Sequence, residues 1–289
     1  MKIAFIVPTN LASQNVNDWS LNLVPELIKL RHEVLVNDCS EDCDVLFAIE
    51  RTMTDYTMKL HRKYPNVPLV VNNWDWYNYT DKSKGTYPEF IQLLKEAKDV
   101  WSGDMDTAKT TEKAIGVKSS FPLYIFILPW EWKGEKKDYG YTMFGSRRDR
   151  NKRFDWYERA TDELEIPFKS YHPDSNSRED YIRTMKNCSF YVTASRETGV
   201  SIPDAEAAYC NKPILSPDNP GCREMWGNHV TYFKTDDYED FKAKIKWLWE
   251  NYKSRKVQHN VRKCYEIVEK RFLPQIMANR IDQRLREIL

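Results

Sequence analysis

Short apolar runs of strand length alternate with helical hydrophobic patterns along the first half of the chain. The apolar runs are Ile3–Val7, Val34–Val36, Val45–Ile49, Leu69–Val71 and Val100–Trp101. Between them, apolar residues recur at the spacing of an amphipathic helix, as in Asp55–Lys63 and Asp104–Ile115. Continuous apolar strands that alternate with helices are typical of parallel sheets with helices on both faces.

The same alternation restarts in the second half, after the polar segment 129–138. It predicts strands and helices at Tyr141–Phe144, Phe154–Leu164, Pro167–Ser170, Arg178–Lys186, Phe190–Thr193, Pro203–Tyr209 and Pro213–Leu215, followed by two long helices. We therefore predict an α/β fold with two Rossmann-like doubly wound domains and a cleft between them. The predicted domains are residues 1–130 and 139–274, joined by a linker at 131–138.

Composition narrows the class of protein without naming a ligand. Hydrophobic residues make up 41% of the 289 residues and charged residues 30%, which suits a packed core rather than disorder. The net charge of +1 gives no overall attraction to nucleic acid or anionic lipid, so any anion site must be local. No apolar run is long enough to span a membrane. The six cysteines form no C-x-x-C pair, which is typical of reduced thiols and leads us to expect a cytoplasmic protein.

A strand, a glycine-containing loop and a helix follow one another after Thr193. Ser201 and Asp204 fit the S-x-x-D capping-box pattern, and Pro203 falls in the first helical turn, where its missing N–H costs nothing. The free N–H groups of residues 199–201 would point out of this helix N-terminus and offer a site for a diphosphate. Glu206, about one turn further, would accept hydrogen bonds from a ribose diol. An ordinary strand–loop–helix without a ligand is the alternative.

A basic loop follows the predicted strand that ends at Gly145. Residues 147–153 contain four arginines and one lysine. Such a loop would bind the diphosphate of a nucleotide, whose negative charge fixed cations stabilise. Two other interpretations stay open, a solvated charge run before a helix and a patch that grips nucleic-acid phosphates.

The segment after Thr193 resembles the signature of family-4 retaining glycosyltransferases, which have the GT-B fold. The residues in the family's order are Ser195, Glu197, Gly199–Val200–Ser201, Pro203, Glu206–Ala207, Lys212–Pro213–Ile214 and Glu224. The resemblance assigns the family's second acid to Glu206 and its ribose contact. The first acid falls on Thr198, with Glu197 one place early, so either residue takes that role. Ser201 stands where the family has glycine.

The basic loop adds a second part of the resemblance, because family members carry Arg and Lys five apart after such a glycine. Arg147 and Lys152 have this spacing, and Arg148 replaces Arg147 if the loop register slips. The resemblance implies a hexosyl- or pentosyltransferase that acts with retention on a nucleotide-sugar donor, without a metal or other cofactor. The implied donor-binding set is Gly145, Arg147, Lys152, Glu197, Thr198, Gly199, Val200, Ser201 and Glu206, with Arg147 and Lys152 also catalytic.

The acceptor side is expected in the first half, where the resemblance extends only to the layout. Trp74, Asp75 and Trp76 follow the strand that ends at Val71, at the edge where ligands of parallel sheets bind. Asp75 is predicted as a catalytic group that orients the acceptor hydroxyl, and the tryptophans as stacking surfaces. Asn10 lies in the loop after the first strand and completes the acceptor-binding set. The acceptor is left open among a glycan, a lipid, a protein and a modified base in DNA.

Two further features bear on the assignment. Asp104 and Asp106 resemble the D-x-D metal motif of GT-A glycosyltransferases, but they open a helix, where acidic residues act as caps, and we prefer that interpretation. The last helix, 275–289, is expected to pack back on the first domain, as it does in the family. A non-catalytic two-domain protein that binds a nucleotide or polyanion is the alternative function.

Overall fold

The structure is a computed structural model and describes residues 1–7, 21–49, 53–73, 88–124, 126–146, 152–171, 177–195 and 201–289. Its internal contacts divide the chain into two compact units. The first comprises Met1–Phe126 and Pro274–Leu289, and the second comprises Ile127–Leu273.

The first unit is built on a six-stranded sheet with the order β2-β1-β3-β4-β5-β6. Every adjacent pair of these strands is parallel. The strands are β1 (Lys2–Ile6), β2 (Glu33–Val36), β3 (Val45–Ala48), β4 (Leu69–Asn73), β5 (Asp99–Ser102) and β6 (Phe121–Pro122). The described helices of this unit are α1 (Val24–Lys29), α2 (Thr54–Lys63), α3 (Pro88–Glu96), α4 (Met105–Ile115) and α11 (Pro274–Ile288). The unit is doubly wound, as the alternation of apolar runs and helices predicts.

Local signals in the sequence set several helix boundaries. The Asp104 carboxylate accepts a hydrogen bond from the Thr107 N–H at 2.7 Å and caps α4, so the capping interpretation of this acid is confirmed. Gly116 ends the same helix with a left-handed φ of 74°. Pro25 falls in the first turn of α1 and Pro274 begins α11, where proline removes no helical hydrogen bond.

Helix α11 is tied to the first unit by charged and polar contacts. The Arg284 guanidinium pairs with Asp99 of β5 at 3.0 Å, and Arg280 donates to the carbonyl oxygen of Pro122 at 2.7 Å. The buried imidazole of His32 lies 2.9 Å from the Asp282 carboxylate. Residues from the two ends of the sequence therefore stabilise one unit.

The second unit contains a five-stranded parallel sheet with the order β11-β10-β9-β7-β8. Its strands are β7 (Thr142–Ser146), β8 (Phe168–Tyr171), β9 (Phe190–Val192), β10 (Ile214–Pro217) and β11 (Thr231–Phe233). Its described helices are α5 (Phe154–Glu163), α6 (Arg178–Asn187), α7 (Ile202–Tyr209), α8 (Pro220–Trp226), α9 (Tyr238–Asn251) and α10 (Arg255–Arg271). The sequence patterns give these elements except α8 and β11, which are too short for a periodic signal, and one long helix. Two long helices were predicted at the end of the chain, where the structure has α9, α10 and α11.

The segment 131–138, predicted as a linker, packs within the second unit. Trp132 is fully buried at the end of a 3₁₀-helix, Pro129–Trp132. The Lys136 ammonium donates to the carbonyl oxygen of Tyr209, and the Asp138 carboxylate accepts from the Ser189 hydroxyl at 2.6 Å. The division between the units falls instead at residues 126 and 127 and at 273 and 274. The polar composition of this segment suggested an exposed linker. The sequence alone does not show that its charged side chains form hydrogen bonds with residues elsewhere in the second unit.

None of the helices in the described ranges combines the length and the apolar character that crossing a membrane requires. All six cysteines are buried thiols without a disulfide bond.

Candidate functional site

The two predicted ligand loops follow neighbouring strands of the second sheet, β7 and β9. Strand β7 lies between β8 and β9 in the second sheet. The next strand in the chain, β8, lies on one side of β7, and the strand after it, β9, lies on the other side. Ligands of doubly wound sheets bind at such a switch point, outside the carboxyl ends of the strands. The basic loop follows β7 and the glycine-containing loop follows β9. The described residues at the ends of these two strands therefore lie at this edge.

Gly145 and Tyr191 make close contact at the same edge. Gly145 lies near the end of β7 and Tyr191 is buried on β9. A Cβ atom on Gly145 would lie 2.6 Å from the Tyr191 hydroxyl oxygen, which is too close for two such atoms. Glycine is thus needed at position 145 for space rather than for an unusual backbone conformation.

Helix α7 begins as predicted, but its cap differs from the predicted capping box. Ser201 is the N-cap residue and Pro203 lies in the first turn. The Ser201 hydroxyl donates to the Asp204 carboxylate at 3.1 Å and accepts no hydrogen bond from a helix N–H. The capping-box prediction is therefore wrong, because the hydroxyl serves the buried carboxylate instead. Because Ser201 does not cap the helix, its hydroxyl accepts no hydrogen bond from the N–H groups of the first turn.

Asp204 is a buried acid in the first turn of α7 that the sequence analysis did not assign to the site. Burial raises its pKa to about 7, and the Ser201 hydrogen bond, the Lys152 ammonium and the Trp226 indole N–H act in the opposite direction. The charge of Lys152, which lies between β7 and α5, lowers the pKa of Asp204. Its electrostatic effect therefore reaches the first turn of α7, where a helix N-terminus favours an anion.

Glu206 lies one turn further along α7 and is held at both carboxylate oxygens. Its side chain is only 4% exposed. Oε1 accepts from Nη2 of Arg178 at 2.5 Å, and Oε2 accepts from the Tyr181 hydroxyl at 2.7 Å. Burial raises the pKa of Glu206, while the Arg178 charge and both hydrogen bonds favour the ionised form.

Arg178 connects Glu206 to a second carboxylate. Its Nη2 also donates to Oε2 of Glu131 at 2.6 Å. The guanidinium lies 5.3 Å from the centre of the Trp132 ring and 5.0 Å from that of Tyr181, within the range of cation–π attraction. The sequence analysis missed Arg178, Tyr181 and Glu131. The one available signal was that a glutamate facing the core side of a helix needs a cation or donor partner.

The first unit presents buried amides at the corresponding edge. Asn72 and Asn73 end β4 and are fully buried, and the Asn73 amide donates to the Thr111 hydroxyl of α4 at 2.9 Å. These residues immediately precede the predicted acceptor residues. Acceptor binding by this edge stays a prediction.

Many of the predicted site residues lie outside the described residues, so the structure gives them no geometry. They are Asn10, Trp74, Asp75, Trp76, Arg147, Arg148, Glu197, Thr198, Gly199 and Val200. The described members of the predicted donor site are Gly145, Lys152, Ser201 and Glu206. Gly145 lies on β7, Lys152 lies two residues before α5, Ser201 precedes the first residue of α7 and Glu206 lies within α7, all in the second unit. Within the described ranges, no group of three or more His, Cys, Asp and Glu side chains is arranged to hold a metal ion.

Comparison with known proteins agrees with this architecture. Residues 132–263 match the family model for glycosyl transferases group 1, and these residues lie within the second unit. A search of curated proteins found no match. Three solved structures that are similar in fold are 10–12% identical to this chain in sequence.

These three structures cover nearly the whole chain. HepE of Anabaena, solved with UDP-glucose, is 12% identical, with 99% of this chain and 100% of HepE aligned and a TM-score of 0.74. Sucrose-phosphate synthase from Thermosynechococcus elongatus is 10% identical, with 99% and 98% aligned and a TM-score of 0.78. A glycosyltransferase from Rickettsia africae is 11% identical, with 99% and 98% aligned and a TM-score of 0.65.

The two doubly wound units, the family match across the second unit and the fold of these structures agree with one another. The chain has the GT-B fold, and the part of its second unit from residue 132 to residue 263 is similar to the glycosyl transferases group 1 family.

Proposed function

We propose that this protein transfers a hexose or pentose from a nucleoside-diphosphate donor to an acceptor hydroxyl with retention of anomeric configuration. The donor diphosphate would bind between the basic loop after β7 and the N-terminus of α7. The observation that carries the proposal is the strand order, because β7 and β9 are neighbours and Lys152 and Ser201 follow them at the carboxyl edge of one sheet. The ribose would lie one turn along the helix, at Glu206.

The chemistry requires positive charge at this place. The leaving nucleoside diphosphate gains negative charge as the glycosidic bond breaks, and fixed donors stabilise that charge in the transition state. Lys152 and Arg147 would supply the cations, and the N–H groups at the start of α7 would supply neutral donors. The leaving phosphate oxygen would accept the proton of the acceptor hydroxyl on the same face of the sugar. This route needs no strong protein base and no metal ion.

UDP-sugars are the first donor class to test, because HepE of Anabaena was solved with UDP and with UDP-glucose. The acceptor site would lie at the carboxyl edge of the first sheet, with Asn10, Trp74, Asp75 and Trp76. A glycan, a lipid, a protein and a modified base in DNA all offer the hydroxyl that the reaction needs. A DNA acceptor would show steeply salt-dependent binding, whereas a neutral glycan would not.

A thermal-shift panel of nucleotides and nucleotide sugars tests the proposal directly. Uridine, guanosine, adenosine and cytidine diphosphates and their sugar conjugates would be compared at several concentrations. A nucleotide that binds the folded state raises the melting temperature by mass action, so one base should stand out. Slow hydrolysis of the matching nucleotide sugar without acceptor would then separate a transferase from a binding protein. Failure of every nucleotide to bind would overturn the proposal.

A further inference from the structure

Asp204 is a fully buried acid whose carboxylate is only partly hydrogen-bonded. The residue has no exposure to solvent, and its Oδ1 accepts one hydrogen bond, from the Ser201 hydroxyl at 3.1 Å. Oδ2 forms no hydrogen bond within the described part of the chain, and neither does Nε1 of Trp226, although that indole N–H favours the ionised acid. A buried carboxyl group with so few donors is costly to ionise, so the neutral form is favoured.

The groups that act on this acid come from several elements. Against the burial that raises its pKa to about 7, the Ser201 hydroxyl, the charge of Lys152 and the N-terminus of α7 favour the ionised form. Burial and then the Asp204 charge raise the pKa of Tyr191 on β9 and of Cys264 on α10, so both of these stay neutral. No cationic side chain of the described ranges forms an ion pair with Asp204. Its charge therefore changes near neutral pH.

Asp204 lies close to the place at which the donor diphosphate is proposed to bind. It is two residues after the first residue of α7, about 3 Å along the helix axis. A diphosphate at this N-terminus would repel an ionised Asp204. It would also attract the positive charges of Lys152 and of the helix N–H groups, which otherwise favour ionisation. Both effects make Asp204 hold its proton more tightly when the donor binds.

Resting on the proposed function, we infer that Asp204 takes up a proton when the donor diphosphate binds at the start of α7, so that the protein binds its donor more tightly below neutral pH. The proton comes from solvent and returns to it when the nucleoside diphosphate leaves. Because linkage is reciprocal, a donor that strengthens proton binding is itself bound more tightly by the protonated protein. Asp204 thus controls donor affinity and does not react with the sugar.

The test is calorimetric titration with UDP-, GDP-, ADP- and CDP-glucose from about pH 5.5 to about pH 8.5. Both phosphates of a nucleotide sugar are esterified and keep their charge in this range, whereas the terminal phosphate of a nucleoside diphosphate titrates at about pH 6. The wild-type dissociation constant should rise about tenfold across the range, which corresponds to a pKa change of about one unit. Buffers with different ionisation enthalpies at pH 7 should show uptake of about half a proton, because Asp204 is half protonated there without donor.

Three variants locate the effect. Asp204→Asn should bind the donor with a dissociation constant that changes by less than about twofold across the range and should take up no proton, because an amide does not titrate. Ser201→Ala should move the rise in the dissociation constant to higher pH, since it removes a hydrogen bond that favours ionised Asp204. Asp162→Asn, at an exposed acid near the end of α5, is the matched control and should keep the wild-type pH dependence.

A wild-type dissociation constant that does not change with pH would overturn the inference and leave the proposed function intact. The same conclusion would follow from a pH dependence that survives in Asp204→Asn, or from a Ser201→Ala profile that is unchanged or moves to lower pH. Failure of all four nucleotide sugars to bind either the wild-type protein or Asp204→Asn would instead overturn the proposed function.

Discussion

The hydroxyl of Tyr191 occupies the space in which a side chain on Gly145 would begin. A Cβ atom at position 145 would lie 2.6 Å from the hydroxyl oxygen and 3.7 Å from the ring carbon Cζ. The two residues lie on neighbouring strands at the edge where the donor is proposed to bind. Backbone and aromatic ring are both confined there by the packed sheet, so neither moves aside cheaply.

We expect Gly145→Ala to destabilise the protein by about 1–3 kcal/mol, because overpacking a buried contact forces strain on its neighbours. The Tyr191→Phe background should remove most of this cost, since the nearest remaining atom is at an ordinary contact distance. Urea unfolding of the two single variants and the double variant gives the coupling energy, expected at about 1 kcal/mol or more. Additive effects of the two substitutions would contradict the steric explanation.

The buried Asp204 makes stability depend on pH. Its pKa rises from an ordinary value of 3.8 to about 7 in the folded protein, chiefly through burial. The folded state therefore binds more protons than the unfolded state between these values, and stability falls as the pH rises from about 4 to about 7. The loss of stability that comes from ionising buried Asp204 is absent below pH 4 and complete above pH 7.

The variant Asp204→Asn should remove this dependence, because an amide carries no charge at either pH. Its stability relative to wild type should increase between pH 4 and pH 8, by roughly 4 kcal/mol at most. Urea unfolding at several pH values measures this difference. Asp218→Asn is a suitable control, because the pKa of exposed Asp218 is lowered by its hydrogen bond with Arg223. A constant difference between Asp204→Asn and wild type would show that Asp204 is not buried as an acid.

Lys152→Ala should reduce turnover about tenfold or more while the protein stays folded, because it removes a cation from the proposed leaving-group site. The assay is hydrolysis or transfer of the nucleotide sugar that the binding panel identifies. Lys256→Ala, which removes an exposed lysine of α10 in the same unit, should leave turnover unchanged. Wild-type turnover in Lys152→Ala would remove this residue from the site.

The ion pair between Arg284 and Asp99 should matter more to stability than a neighbouring surface pair. Asp99 is largely buried and also accepts from the Trp101 indole N–H at 2.9 Å. Arg284→Met should cost about 1–3 kcal/mol, because it leaves a buried carboxylate with one donor fewer. Arg286→Met, on the same helix, removes a more exposed pair with Asp282 and should cost about 0.5 kcal/mol or less. Equal losses in urea unfolding would show that α11 is not anchored through Asp99.

Much of the fold is predictable because its signals are local. Apolar runs of strand length, helical periodicity, the Asp104 cap and the Gly116 stop each depend on a few neighbouring residues. The short elements α8 and β11 were not predicted, because a helix of seven residues and a strand of three residues show too little hydrophobic periodicity. The linker prediction failed for a related reason: charges such as those of Lys136 and Asp138 look solvated until their distant partners are known.

The candidate site likewise has features that the sequence predicts and features that it does not. The positions of Gly145, Lys152, Ser201 and Glu206 relative to strands and helices follow from the sequence, because loops after neighbouring parallel strands meet at one edge. The partners of those residues do not follow from it. Ser201 was predicted to cap the helix backbone, but its hydroxyl instead donates to Asp204, a preference that only burial of that acid explains.

By itself, the sequence determined the α/β class and the order of most elements, because backbone periodicity and capping act over a few residues. Only the tertiary structure decided the pairing of Arg178 with Glu206 and Glu131, the burial of Asp204 and the packing of Tyr191 against Gly145. These relationships join residues that are far apart in the chain. Their energies depend on distance and on exclusion of water, which no local pattern encodes.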